Sequence, residues 1–386
     1  MEAPGRSHAP GPPQVVVWAL IGTAVCAALI LSAGSRSGFG LKTFVTPGVD
    51  GPAVAVMHRD FPGQTLPLGI GHDGQQFYAI ARQPMHWHAA AASLDRPRYR
   101  LERPLYPWLA WLLHPGGGGP GLVVALLAVG AAALALGGTA LGTFAVQAGR
   151  SARWAVLFPL LPGAMIALRI STADTLAAAL LLAALAALER RRGGPALALA
   201  VAAVLAKEIT LLALVGYALA ARRREAWVAV AGAGAALGAW YGAVLASVPT
   251  TGPQVVELTW PFVGLAHSLR WWQTGQDRDA ALLTVATALI VVSAAGLRGG
   301  WRTPLGAATL AAASALVVLH WNAVELTFNS ARTLLPVDAV ALAAVLSRPV
   351  GRTQAGAGPD AAPSVAAPTA AEPDSGRLVG ADPSPT

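Results

Sequence analysis

The feature that most constrains this chain is a succession of long apolar runs interrupted by short groups of arginine. The first run, VVVWALIGTAVCAALILSA at 15 to 33, has close to the roughly 20 residues that a helix needs to cross the hydrocarbon of a bilayer. Others lie at about 121 to 148, 154 to 170, 173 to 189, 226 to 248, 280 to 297, 304 to 321 and 332 to 347. A further stretch, 195 to 221, is apolar except for Lys207 and Glu208 at its middle. It is too long for one comfortable helix and too short for two full ones. Composition agrees, because 55% of the 386 residues are hydrophobic and only 12% are charged, about half the charged fraction with which a water-soluble domain covers its surface. An ordinary soluble protein is excluded. The single cysteine, Cys26, sits inside the first run, which leaves no disulfide framework and no thiolate metal site.

Arginine placement sets the expected topology, since short cytoplasmic loops gather Lys and Arg. Groups occur at Arg150 with Arg153, Arg190 to Arg192, Arg222 to Arg224, Arg298 with Arg302, and Arg348 with Arg352. If 195 to 221 is a hairpin with Lys207 and Glu208 near its tip, all five groups fall on one face; if it is a single span, those after it fall on the wrong side. The hairpin is therefore expected, giving an all-α polytopic protein of about ten helical segments with both termini cytoplasmic, in the cell membrane. The first run ends in LSAGS, which offers small residues for signal cleavage. The segment before it holds only Arg6 and His8 among Pro and Gly, so the run is read as an uncleaved helix. The net charge of +8 would also suit nucleic acid, but the arginines are dispersed as anchors between spans instead of lining one groove, and no nucleic-acid partner is expected.

This reading divides the chain into a cytoplasmic tail at 1 to 14, a multi-spanning domain at 15 to 347 and a tail at 348 to 386. The last is rich in Pro, Ala, Gly and Ser, without apolar period, and is expected to be disordered. Two stretches face the other side, a first extracytoplasmic loop at 34 to 120 and a second at 249 to 279. A loop as long as the first is expected to carry folded, functional structure. Within it, GHDGQQFYAIARQP places Asp73 between His72 and Gly74, followed by Phe77, Tyr78, Ile80 and Ala81 at spacings that suit one face of a short helix. Gly71 and Gly74 would let the backbone near Asp73 approach a ligand. Arg96, Arg98, Arg100 and Arg103 then precede Tyr106, Trp108 and Trp111, which reads as a short interfacial helix over 104 to 114. The plainer reading of Asp73 is an Asx turn or helix cap. His86 and His88 could join His72 and Asp73 around a metal, but four ligands from one loop without fixed spacing do not make a metal site.

The pattern GHDGQQFYAIAR followed by RYRLERPLYPWLAWLL resembles bacterial integral-membrane proteins related to the GT-C glycosyltransferase superfamily. The likeness extends through LRISTADTLAAALLLAALAALERRR, AVLAKEITLLALVGYALA and NSARTLLPV, covering roughly 15 to 347, with the first loop its distinctive part. The resemblance implies a multi-helix domain that takes a polyprenyl-phosphate sugar from the lipid side, with Asp73 as catalytic base. His72 stands where that superfamily often has an aromatic residue, and Lys207 where an arginine usually precedes the glutamate. No second acid adjoins Asp73, so a metal-dependent variant is not implied.

The chemistry can be stated without the family. Moving a sugar from a lipid phosphate requires a base for the incoming hydroxyl and positive charge for the departing phosphate, and attack from the opposite face inverts the anomeric carbon. The expected substrate-binding residues are His72, Gln75, Tyr78, Arg82, Arg100, Arg103, Arg169, Lys207, Glu208 and Arg332. A charge at membrane depth costs about 2.5 to 3.5 kcal/mol, so Arg169, Asp174, Lys207, Glu208 and Arg332 should face a cavity or a partner; internal pairing, snorkelling, or capping by Asp174 are the plainer alternatives. Trp260, His267, Arg270, Trp271 and Trp272 could stack on sugars but fit an aromatic belt better. No cofactor is expected, with a divalent cation left open. The partners are then a polyprenyl-phosphate sugar, membrane lipid and a glycan, lipid or protein acceptor. A polytopic transporter or lipid flippase is the alternative, since broken helices and charges at membrane depth also build transport sites.

Overall fold

The structure, a computed structural model, describes residues 11 to 248 and 258 to 349. Most of the N-terminal tail, the start of the second loop and the chain from 350 onward, with the tail expected to be disordered, lie outside the described residues. Apart from one isolated bridge between Leu258 and Leu319, the described residues form helices and connections. The chain opens with α1 (Pro12–Ser35). Five short helices follow in the first loop: α2 (Val54–Asp60), α3 (Gly74–Arg82), α4 (Trp87–Ala91), α5 (Pro97–Leu101) and α6 (Leu105–Leu113). Then come α7 (Pro120–Gln147), α8 (Leu157–Leu160), α9 (Pro162–Arg169), α10 (Asp174–Glu189), α11 (Gly193–Ala206), α12 (Thr210–Ala221) and α13 (Arg224–Ser247). The remainder is α14 (Val263–Gln273), α15 (Arg278–Ala295), α16 (Pro304–Val318) and α17 (Thr327–Leu346).

Five of these, α1, α7, α13, α15 and α17, are long and apolar enough to cross a membrane, and a sixth crossing results if the segment 152 to 160 and α9 count as one broken span. That pair bends by 52°. The cause is Pro162, which holds Leu161 before it in an extended conformation (φ −61°, ψ 134°) and so interrupts the helix. The outer helices keep large apolar side chains on the protein surface, among them Val17, Leu20 and Leu29 of α1 and Leu282, Leu289 and Val292 of α15. Water would not tolerate such a surface, whereas lipid requires it. α17 is the central helix, packed against α15, α9, α10, α16 and α7. Small residues allow the closest approaches: a side chain at Gly138 or Gly142 of α7 would collide with Ala155 and with α1 at Ala19 or Val15.

The stretch 195 to 221 breaks at Lys207, Glu208 and Ile209 into α11 and α12. Gly193 at the start of α11 lies against Glu225 at the start of α13, and Leu197 packs over Gly232, so α11 and α13 run parallel. α12 must therefore return from the tip to the base, and the segment is a hairpin.

Among the described residues, the arginine groups assemble at one end of the bundle. Arg150 donates from Nε to the Leu346 carbonyl at 3.1 Å, and Arg348 donates to the Ala294 carbonyl, which ties the ends of α7, α17 and α15 together. Arg190 to Arg192 and Arg222 to Arg224 adjoin the base of the hairpin, and Tyr217 of α12 donates to Glu189 at 3.0 Å. Asp174, Lys207 and Arg332 sit at the opposite ends of α10, α11 and α17.

Candidate functional site

At that opposite end the first loop folds over the helices and encloses a cavity of about 890 Å³. Asp73 stands at the N-cap position of α3 but makes no capping bond. Its carboxylate instead receives Arg100 Nη2 at 3.0 Å and Arg332 Nη1 at 2.9 Å. Burial alone would raise its pKa, but the charges of Arg332 and Arg100 override that and hold the carboxyl far below the usual range. The neighbouring glycines serve the fold more than a ligand. Gly74 is required because a side chain there would strike the Ile170 carbonyl, and Gly71, at φ +69°, faces the Thr46 carbonyl.

The other cavity cations are also paired. Arg100 is held by Asp95 through two bonds of 2.9 Å. Arg103 forms a bidentate pair with Glu208 at 2.9 and 2.7 Å. Lys207 donates to Asp174, which also accepts from Thr172 at 2.7 Å and lies 3.8 Å from Arg332. The Tyr99 ring braces three guanidinium groups, its centroid lying 4.5, 5.3 and 4.4 Å from the Cζ atoms of Arg96, Arg100 and Arg103. Arg98 points elsewhere and fastens the loop to the Val248 carbonyl at 2.8 Å. Arg100 lies within the short α5, with Arg96 at its N-cap and Arg103 just beyond its end, and the three converge on Tyr99 while Arg98 does not.

Of the residues expected from the sequence, Asp73, His72, Gln75, Arg100, Arg103, Lys207 and Arg332 border the cavity, and Glu208 joins them through Arg103. Tyr78, Arg82 and Arg169 do not. Tyr78 donates to Asp60 at 2.8 Å and accepts from the Gly119 N–H, while Arg82 donates to the same carboxylate at 3.2 Å; together they latch α2 and α3 to the start of α7. Arg169 donates to the Thr43 carbonyl at 2.6 Å and its hydroxyl at 3.0 Å, fixing the end of α9 to the segment after α1. His72 stacks on Phe328 with centroids 5.3 Å apart, and burial with the nearby Arg332 charge pushes its pKa down. His86 and His88 are exposed and off the cavity wall; among the described residues no group of three or more His, Cys, Asp or Glu is placed to hold a metal.

The helix over 104 to 114 forms as α6. It buries Tyr106, whose hydroxyl donates to the Leu126 carbonyl at 2.9 Å, and leaves Leu112 and Leu113 exposed. In the second loop Trp260 is exposed, whereas Trp272 is buried and donates to the Glu325 carbonyl at 3.0 Å.

Asp174, expected to face a cavity or a partner with helix capping as the plainer alternative, is an ion-pair partner inside the cavity. Other cavity residues, Glu325 and Asn329 among them, were not singled out from the sequence. Glu325 lies in the bend before α17 and Asn329 in that helix's first turn, on the side away from the arginine groups, and Asn329 accepts from Arg332 at 2.7 Å. Compared with known proteins, the chain matches no family profile, no curated protein and no solved structure.

Proposed function

We propose that this protein is a membrane glycosyltransferase that moves a sugar from a polyprenyl-phosphate donor to a glycan, lipid or protein acceptor on the extracytoplasmic side, with inversion. The observation that carries the reading is the convergence of Arg100 and Arg332, from a loop and a transmembrane helix, on the single carboxylate of Asp73 inside a large cavity. A phosphate monoanion or diester presents the chemistry that these guanidinium groups complement, and in binding it draws them from Asp73. Losing its cations raises the basicity of Asp73 when an acceptor hydroxyl must be deprotonated, so one event positions the leaving group and readies the base. Direct attack opposite the phosphate inverts the anomeric centre, and phosphate leaves without a strong general acid. The likeness of the first loop to the GT-C superfamily points the same way.

In this reading the chain contributes ten membrane segments in the cell membrane: α1, α7, the bent pair, α10, the two arms of the hairpin, α13, α15, α16 and α17. The end that gathers the arginine groups faces the cytoplasm together with both termini, in keeping with the positive-inside rule. The cavity then opens to the exterior.

One observation favours a transporter or flippase instead, namely the 52° break before α9. A radiolabelled polyprenyl-phosphate sugar assay in membranes separates the two. Transfer of label by the wild type and loss of transfer by Asp73→Asn, with insertion intact and activity down by about 10²- to 10⁴-fold, is expected. A folded Asp73→Asn protein with full transfer activity rejects Asp73 as base, and movement of label across the bilayer without transfer establishes transport.

A further inference from the structure

The cavity has two chemically different walls. On one, Asp73, Asp95 and Asp174 each hold a cation. On the other, Glu325 borders the cavity with its side chain only 15% exposed, and among the described residues no Lys or Arg lies within ion-pair distance of it. Its Oε2 is buried without a hydrogen-bond partner; the nearest polar contact is His267 Nδ1 at 3.3 Å. A carboxylate has roughly four acceptor positions, and leaving them unfilled in a partly desolvated place is costly. The surroundings hold this group firmly. Trp272 of α14 donates to the Glu325 backbone carbonyl, and His267 of the same helix stacks on Trp321 with centroids 4.5 Å apart.

Asn329 and Arg332 lie three residues apart near the start of α17, Glu325 lies in the bend just before that helix, and all three border the cavity. A ligand whose phosphate engages Arg332 shares this one cavity with Glu325, which is placed to meet a further part of it. An anion would be repelled there, and an apolar group would leave the carboxylate unsatisfied. A ring bearing several neutral hydroxyl groups supplies donors and no charge.

We infer that Glu325 is the hydroxyl-binding residue of a site for a sugar without negative charge, with His267 and Trp272 as its positioning residues. This rests on the transferase reading for the identity of the ligand and adds to it the side of the cavity that receives the sugar and its class, a hydroxyl-rich sugar in place of an acidic one.

The test uses the full chain in nanodiscs and three probes: farnesyl phosphate, farnesyl phosphomannose with its glucose counterpart, and the free methyl hexosides. Wild type should bind a farnesyl phosphohexose more tightly than farnesyl phosphate, and Glu325→Ala should reduce that advantage by on the order of tenfold while leaving farnesyl phosphate affinity unchanged. Glu325→Gln, which keeps the side-chain volume, serves if the alanine variant does not fold, and should also reduce the advantage. If the loss appears with the methyl hexosides, the hydroxyls belong to the acceptor; if with the phosphohexoses, to the donor, and either supports the assignment. An unchanged advantage in a folded Glu325 variant, or a wild type that binds farnesyl phosphate but gains nothing from the sugar, overturns it while the phosphate-binding cavity stands. A wild type that binds none of the probes overturns both.

Discussion

Removing the contact between Asp73 and Arg332 is the sharpest physical test of the cavity, because its magnitude can be worked out without any assumption about substrate. The two groups meet at 2.9 Å, with side chains 24% and 11% exposed. Unit charges about 4 Å apart interact by about 4 kcal/mol at an effective dielectric of about 20. Two features reduce this figure. Asp73 retains Arg100 at 3.0 Å when Arg332 is lost, and Arg332 retains Asn329 at 2.7 Å and Asp174 at 3.8 Å when Asp73 is lost. A coupling of about 1 to 3 kcal/mol remains. The measurement is a double-mutant cycle of Asp73→Asn and Arg332→Met, alone and together, by thermal unfolding of the purified protein in nanodiscs. Each single variant should be destabilised, and the double variant should lose less than the sum by that coupling. If the two effects add to within about 0.5 kcal/mol, the pair is not energetically connected, and the convergence on Asp73 loses its meaning.

Two other outcomes follow from residues away from the convergence. Tyr78→Phe removes the donor to Asp60 and the acceptor for the Gly119 N–H, so it should cost about 1 to 3 kcal/mol in stability, with farnesyl phosphate affinity unchanged, as read by melting and binding curves. Glu102 is pushed up to about 7 from 4.5 by burial and by the neighbouring Glu208 charge. Its protonated form is thus favoured by the fold, and the associated stability is fully present below about pH 4.5 and lost as pH rises through about 7. Melting temperature measured from pH 5 to 8 should fall in the wild type, and Glu102→Gln should flatten that dependence and melt higher at pH 8.

The helical runs and the hairpin were legible because length, hydropathy and arginine placement act locally along the chain. The sharing of one end by the arginine groups followed from the same signal. Side-chain direction in the first loop was less legible, although a helical wheel held part of it. At about 100° per residue, Tyr78 and Arg82 lie roughly 140° and 180° around α3 from Asp73, and both turn instead to Asp60. The partners of Asp73 were beyond reach of pattern reading. Arg332 is 259 residues away, and only the packing of α17 brings it there. Lys207 and Glu208 stood out as charges among apolar residues, but their opposite partners, Asp174 for one and Arg103 for the other, depend on how the hairpin docks.

The separation of Asp73 from Arg332 also bears on biosynthesis. As the chain emerges from the ribosome, Asp73, Asp95 and Arg100 are all in hand before α7 has been made, whereas the cation that completes the cluster arrives with α17. The guanidinium of Arg150 likewise waits for the Leu346 carbonyl, 196 residues later. Nascent chains halted before α17 therefore carry an unfinished charge cluster at one end and an unclosed seam at the other. Insertion of that one helix completes both together, so ribosome-stalled intermediates should pass from protease-sensitive to protease-resistant in a single step when α17 enters the bilayer.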